Sequence, residues 1–134
     1  MAAHDESGTA VLEVLLLGVG LLVPLLYGVL SVMAVQSASF AATAAAREAA
    51  RAYVTAGTPA EGLVRARAAT RLVLADAGLP TTTPVVRCVG GCLVPGSRVD
   101  VTVRVAVPLP LLGGPGVTVA GQESMPVDRY RSAP

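Results

Sequence analysis

The chain contains no tryptophan, one phenylalanine and three tyrosines. A folded core in it therefore has to be built from valine, leucine and alanine, without the large aromatic anchors that dominate many cores. Lysine is missing too: all ten basic residues are arginine, which reads as coding bias rather than chemistry. Charged residues make up 14% of the 134 positions and apolar ones 53%. Soluble domains run near about 25% charged, so this chain is too apolar to be an ordinary one. A net charge of +1 excludes the basic footprint of a nucleic-acid binder. The single histidine is His4, and two cysteines with one distant histidine do not make a four-ligand metal site. Asp76, Asp100, Glu123 and Asp128 are scattered over turn and strand positions with no partner at fixed spacing. Gly113–Gly116 is glycine-rich but lacks the lysine and following helix of a phosphate loop. No catalytic constellation is left, and the reading is a non-enzyme with no cofactor, metal or small-molecule substrate.

What the chain does have is one long apolar run. Val14 to Val35, VLLLGVGLLVPLLYGVLSVMAV, is free of charge over 22 residues. As a helix it spans about 33 Å, enough to cross the hydrocarbon core of a bilayer. Pro24 removes one internal hydrogen bond and predicts a kink. Gly18, Gly20 and Gly28 either allow a second helix to approach or are ordinary membrane-helix composition. A cleaved secretory signal is the competing reading. Such signals carry a positive leader and an apolar core of about 7–15 residues. Here the leader MAAHDESG has no Lys or Arg and the run is longer, although QSASFAATAAA offers small residues for cleavage.

At the threshold of this run stands Glu13, five positions after Gly8. A carboxylate so close to a bilayer is costly unless it has a partner or reaches the headgroups. One reading is local: a glutamate in the first turn of a helix, favoured by the macrodipole. The other is a processing pattern, a short polar leader, a glycine, and a glutamate at the head of a membrane helix. Cleavage after Gly8 leaves a free amine on Thr9, one helical turn from Glu13. In an assembly Glu13 then pairs with the terminal amine of a neighbouring subunit, which makes its burial tolerable.

Gln36 to Val54 continues as an alanine-rich helix with nothing to break it. Glu48 and Arg51 form an i,i+3 pair on a solvated face. Gly57 ends this helix. Thr58, Pro59 and Glu61 then predict a capping box, with Thr58 at the N-cap and Pro59 at N1. In the second helix the inward face is read as Leu63, Ala66, Thr70, Val73 and Ala77, and Gly78-Leu79-Pro80 as its stop. Beyond it the period changes to two. Arg98 to Val107 alternates, with valine at every odd position, as a half-buried strand does. Pro84 to Val89 reads as the strand before it and Val117 to Ser124 as a shorter one after it. Turns at Pro95-Gly96-Ser97 and Pro108 to Gly116 join them. The expected fold class is α+β: a long N-terminal helix, a short second helix, and a small antiparallel sheet of three strands.

Cys88 and Cys92 sit in CVGGC, where two glycines let the chain fold back. A structural disulfide fits best on an oxidising side of a membrane. A redox pair is the rival, but the spacing is C-x3-C and no βαβ pattern surrounds it. The arginines argue about sidedness: Arg47 and Arg51 follow the span and nothing basic precedes it, which by the positive-inside rule favours a cytoplasmic C-terminus. The processing pattern and the cysteines favour the opposite.

Taken together, GTAVLE with the span, the helix ending REAARAYV, the segment CVGGCLVPGSRVDVTVRVAVPLP and the closing MPVDRYR resemble a TadE-like minor pilin (pseudopilin) of the tight-adherence, Flp-type pilus system, of actinobacterial type. The resemblance covers nearly the whole chain, though only the first element is a motif with known chemistry. It implies a leader over residues 1–8, cut by a prepilin peptidase between Gly8 and Thr9. A transmembrane and extended helix over 9–56 and a small extracytoplasmic α+β domain over 57–134 follow. It further implies partners among pilin and pilus-assembly subunits, residence in the cytoplasmic membrane with a cytoplasmic N-terminus, and a part in adhesion. Departures from the family pattern are the acidic leader, with Asp5 and Glu6, and Val14 where major Flp pilins often carry tyrosine. Two other readings remain: a membrane-anchored extracellular binding module with an intact leader, and a secreted signal-peptide product.

Overall fold

A computed structural model describes residues 6–109 and 116–130, with the backbone alone for residues 6–9. The order of elements is α1 (Glu6–Val54), α2 (Pro59–Asp76), β1 (Val85–Val89), β2 (Arg98–Val107) and β3 (Val117–Pro126). The strands form one antiparallel sheet in the order β1-β2-β3. The chain is therefore α+β, with the expected elements in the expected order. By packing it divides into two units, Met1–Ala34 and Val35–Pro134, and the division falls inside α1. The second half of α1 thus belongs to the same unit as α2 and the sheet, which residues 57–134 alone would not include.

Within the second unit the core is made of small side chains. Along α1, Ala38, Ala42, Ala45, Ala46, Ala49, Ala50 and Tyr53 are buried. These positions recur every three or four residues, the spacing of one helical face. Along β2, Val99, Val101, Val103, Val105 and Val107 are all buried, and the residues between them are exposed or half-buried. The alternation expected for β2 is present over its whole length.

Alanine and valine fill space only if the layers come close, and Gly121 of β3 marks how close. A Cβ built on Gly121 would lie 2.2 Å from the backbone carbon and oxygen of Ala42. No side chain fits there, and the strand runs against the helix backbone itself. Arg47 of α1 reaches Glu123 of the same strand at 3.8 Å. The arginine of this pair is exposed and the glutamate half-buried, and a pair so open to solvent contributes little. Glu48 and Arg51, read as a pair from their spacing, form no ion pair.

The second helix starts and stops as its sequence dictates. Thr58 is extended, and its hydroxyl accepts from the Glu61 N–H at 3.2 Å. The Glu61 carboxylate accepts from the Gly57 N–H at 2.9 Å, one residue beyond the usual return bond of a capping box, and also pairs with Arg65. At the other end Gly78 takes a left-handed φ of 67°. Its N–H bonds to the Ala75 carbonyl and that of Leu79 to Leu74, a Schellman stop.

The inward face of α2 differs from the expected one. Gly62, Ala66, Thr70 and Leu74 are buried, whereas Leu63 and Ala77 are exposed and Val73 is half-buried. The reason is Tyr53. A Cβ on Gly62 would approach its ring to 2.9 Å, so the glycine is where the helix can sit against the ring. Thr70 is accommodated because its hydroxyl donates to the Ala66 carbonyl at 2.9 Å. Smaller differences are at the ends: α1 stops at Val54, β1 starts at Val85, and β3 runs on to Pro126. The turn read from Pro108 to Gly116 lies largely outside the described residues.

Two measurements check this account. Gly121→Ala should lower the stability of the full-length chain in neutral detergent by about 1–3 kcal/mol, the usual range for overpacking. Gly18→Ala, with open space around it, should cost nothing in the same thermal unfolding experiment. The second concerns pH. The Gly57 hydrogen bond, with the Arg65 charge and further bonds behind it, holds the Glu61 carboxyl below its ordinary 4.5. A depressed carboxyl contributes stability above its unfolded value, and this is lost as pH falls through the folded one. The melting temperature should therefore decline on acidification below about 4.5, and less so in Glu61→Gln.

Candidate functional site

The residues read as functional lie in two places, and each is described within its own unit. In the first, α1 carries Gly8, Thr9 and Glu13 along one continuous helical backbone. The side chain of Thr9, and all of residues 1–5, lie outside what the structure describes. Glu13 is exposed, and so are its neighbours Val11, Leu12, Val14, Leu15, Leu16 and Leu17. The exposure continues through Leu21, Leu25, Leu30 and Met33. An exposed apolar surface of this extent requires a non-aqueous or protein partner. Among the described residues, α1 is the one helix long and apolar enough to cross a membrane, with no part of its apolar window buried. Pro24 lies inside it. Beside it, at Gly28, there is a shallow apolar depression lined by Leu25, Val29, Val32 and Met33.

In the second unit, Cys88 and Cys92 are joined by a disulfide, their Cα atoms 5.1 Å apart. The chain turns between them through Gly90 and Gly91 at φ of 84° and 107°. Those values explain the two glycines, since other residues strain there. Leu93 follows at φ 61°, a non-glycine residue in the left-handed region, with its side chain buried. Such a conformation costs on the order of 1–3 kcal/mol and persists where its surroundings over-determine it. Here the ring of the disulfide on one side and burial of the leucine on the other do so.

The disulfide also has a partner that the sequence does not announce. The Tyr53 hydroxyl lies 3.7 Å from Cys88 Sγ, and having the proton it is the donor. Tyr53 is 2% exposed, and burial pushes its hydroxyl above its usual value. One ring thus touches α2 through Gly62 and β1 through Cys88. The only signal for it was a lone tyrosine at the end of an alanine-rich face.

The remaining acidic residues do not converge. Asp100 accepts from the Ser124 hydroxyl at 2.6 Å across the outer face of the sheet, and Asp128 accepts from the Tyr130 N–H. Among the described residues, no group of three or more His, Cys, Asp and Glu side chains comes together. Of the tail Arg129-Tyr130-Arg131, the first two residues are exposed and Arg131 lies outside the described residues. Comparison with protein-family models, with curated proteins and with solved structures returned no match.

The disulfide closes a small loop, and the chain-entropy argument assigns it about 2 kcal/mol. Cys88 and Cys92 should resist alkylation until the protein is reduced. Cys88→Ser should fold at low temperature and melt earlier than the parent, as followed by circular dichroism.

Proposed function

We propose that this chain is a pilin-like minor subunit of the TadE type, anchored in the cytoplasmic membrane by the Val14–Val35 segment. On this reading a prepilin peptidase cuts between Gly8 and Thr9. The chain then contributes, with other pilin and assembly subunits, to a Flp-type pilus and to adhesion. The observation that carries the reading is the placement of one motif. Gly8 and Glu13 stand five residues apart at the head of the one described helix apolar enough to span a membrane. That helix continues unbroken into an alanine face that is buried in the same unit as an antiparallel sheet.

Energetics explain why the carboxylate would be kept. At the helix threshold Glu13 reaches the headgroups of the isolated subunit, so it costs little there. When subunits pack side by side, the new amine of Thr9 leaves water and needs a counter-charge, which Glu13 of a neighbour supplies. The depression beside Gly28 lets a neighbouring helix approach in the same assembly. The disulfide supports an extracytoplasmic position for the sheet, because such bonds persist in oxidising compartments. Arg47 and Arg51 favour the reverse orientation by the positive-inside rule. With that orientation the chain would be a membrane-anchored module without processing.

Mass spectrometry of the mature N-terminus separates these readings: the expected first residue is Thr9, and an intact Met1 or Ala2 argues for the unprocessed module. Glu13→Gln should enter membranes at the level of the parent yet be lost from sheared surface fibres. Removing one partner of a buried ion pair costs about 3–5 kcal/mol. Val14→Ala, which changes apolar area alone, should assemble normally. Equal incorporation of Glu13→Gln would reduce the carboxylate to a helix-end residue.

A further inference from the structure

The sheet has two faces, and the valine layer uses one of them. On the other, the strand register sets Arg87, Asp100 and Ser124 in one row and Val85, Thr102 and Gln122 in the next. Arg104 stands two positions beyond Thr102 along β2 on the same face. These residues, with Val101 and with Glu123, which the register sets opposite Val101 and whose carboxylate pairs with Arg47, line an open depression of about 590 Å³. Arg87 and Arg104 are exposed, and neither takes part in an ion pair among the described residues, where the pairs are Arg47–Glu123 and Arg65–Glu61. Asp100 is held by the Ser124 hydroxyl at 2.6 Å. It stands opposite Arg87 in the register without an ion pair to it.

The chemistry of this face selects among anionic ligands. Arg87 is level with Asp100, and Arg104 lies four residues farther along β2, so the two cations are separated by about 13 Å along the strand. Between them stand an acceptor carboxylate, two hydroxyls and an amide. Duplex DNA carries one charge per about 1.7 Å of axis and would meet Asp100 as a repulsive group. Single strands want aromatic platforms, and no aromatic side chain lines the depression. A membrane surface wants apolar insertion, and the only apolar side chain level with the Thr102 row is Val85, on the edge strand. An acidic polysaccharide fits all three terms: widely spaced carboxylates for the arginines, hydroxyl donors for Asp100, and hydroxyl acceptors for Gln122 and Thr102.

We propose that the open face of the sheet binds an acidic, uronate-type polysaccharide. Its carboxylates sit on Arg87 and Arg104, and its hydroxyls on Asp100, Thr102, Gln122 and Ser124. The site rests on the preceding reading only in placing the sheet outside the cell, where such polymers occur. Binding is read on purified protein, so its failure and a failure of fibre assembly are separate results.

The full-length chain in neutral detergent is titrated with labelled polygalacturonate, and in parallel with dextran, polyglutamate and an oligonucleotide of matched charge. Polygalacturonate should bind, more tightly than any of the other three, and weaken with salt. Arg87→Gln/Arg104→Gln should lower its affinity about tenfold. Arg67→Gln/Arg71→Gln removes the same charge from α2 and should change it by less than about twofold. Gln122→Ala, which leaves the charge alone, should weaken polygalacturonate and not polyglutamate. All the substituted positions are exposed, and unchanged melting confirms the fold of each variant. No binding of polygalacturonate, equal binding of dextran, or equal binding of polyglutamate or the oligonucleotide would overturn the proposal. Equal losses from the two double variants would overturn it as well.

Discussion

The contact of Gly121 with the backbone of Ala42 sets the geometry of the second unit. A chain with one phenylalanine and no tryptophan cannot fill a wide gap between helix and sheet. It can only close the gap, with alanine on the helix and valine on the strands. Side-chain burial then stabilises by modest amounts, about 1.5–3 kcal/mol for a fully buried valine and less for alanine. The sum depends on every position of both stripes being small. A larger residue at Ala42, Ala45 or Ala49 would open the seam along its length, because these helix positions are fully buried.

Small residues also let one helix carry two kinds of surface. Up to Met33, α1 exposes leucine and valine around its circumference; beyond it, alanine takes over on the buried side. Alanine continues a helix at least as well as leucine does, so the change of surface needs no break in the backbone. The polar residues in this stretch respect the helix, since Ser31, Ser39 and Thr43 each donate to the carbonyl four residues before.

Legibility of the fold followed the range of the interactions. The capping of α2 by Thr58, its stop at Gly78 and the alternation of β2 depend on residues within a few positions of one another, and all three could be read in the chain. The disulfide belongs with them, because Cys88 and Cys92 are four residues apart. What escaped depends on distant partners. Hydropathy favoured Leu63 over Gly62 for the inner face of α2, yet the ring of Tyr53 needs the residue without a Cβ. Spacing paired Glu48 with Arg51, yet Arg47 found Glu123, seventy-six positions away along the chain. At the candidate site the same rule applies. Gly8, Thr9 and Glu13 are legible as a local pattern, and the partners proposed for them belong to other chains, about which a single chain's contacts say nothing.

Tyr53 has a consequence for how this protein can be watched. Of its three tyrosines, Tyr130 is almost fully exposed and Tyr27 belongs to the apolar first unit. Tyr53 alone is enclosed, with its hydroxyl against a disulfide sulfur. Disulfides quench the emission of a phenol in contact with them, and no tryptophan is present to mask the signal. The ring is therefore an intrinsic optical probe, dark while α1, α2 and β1 meet around it and brighter once any of them withdraws.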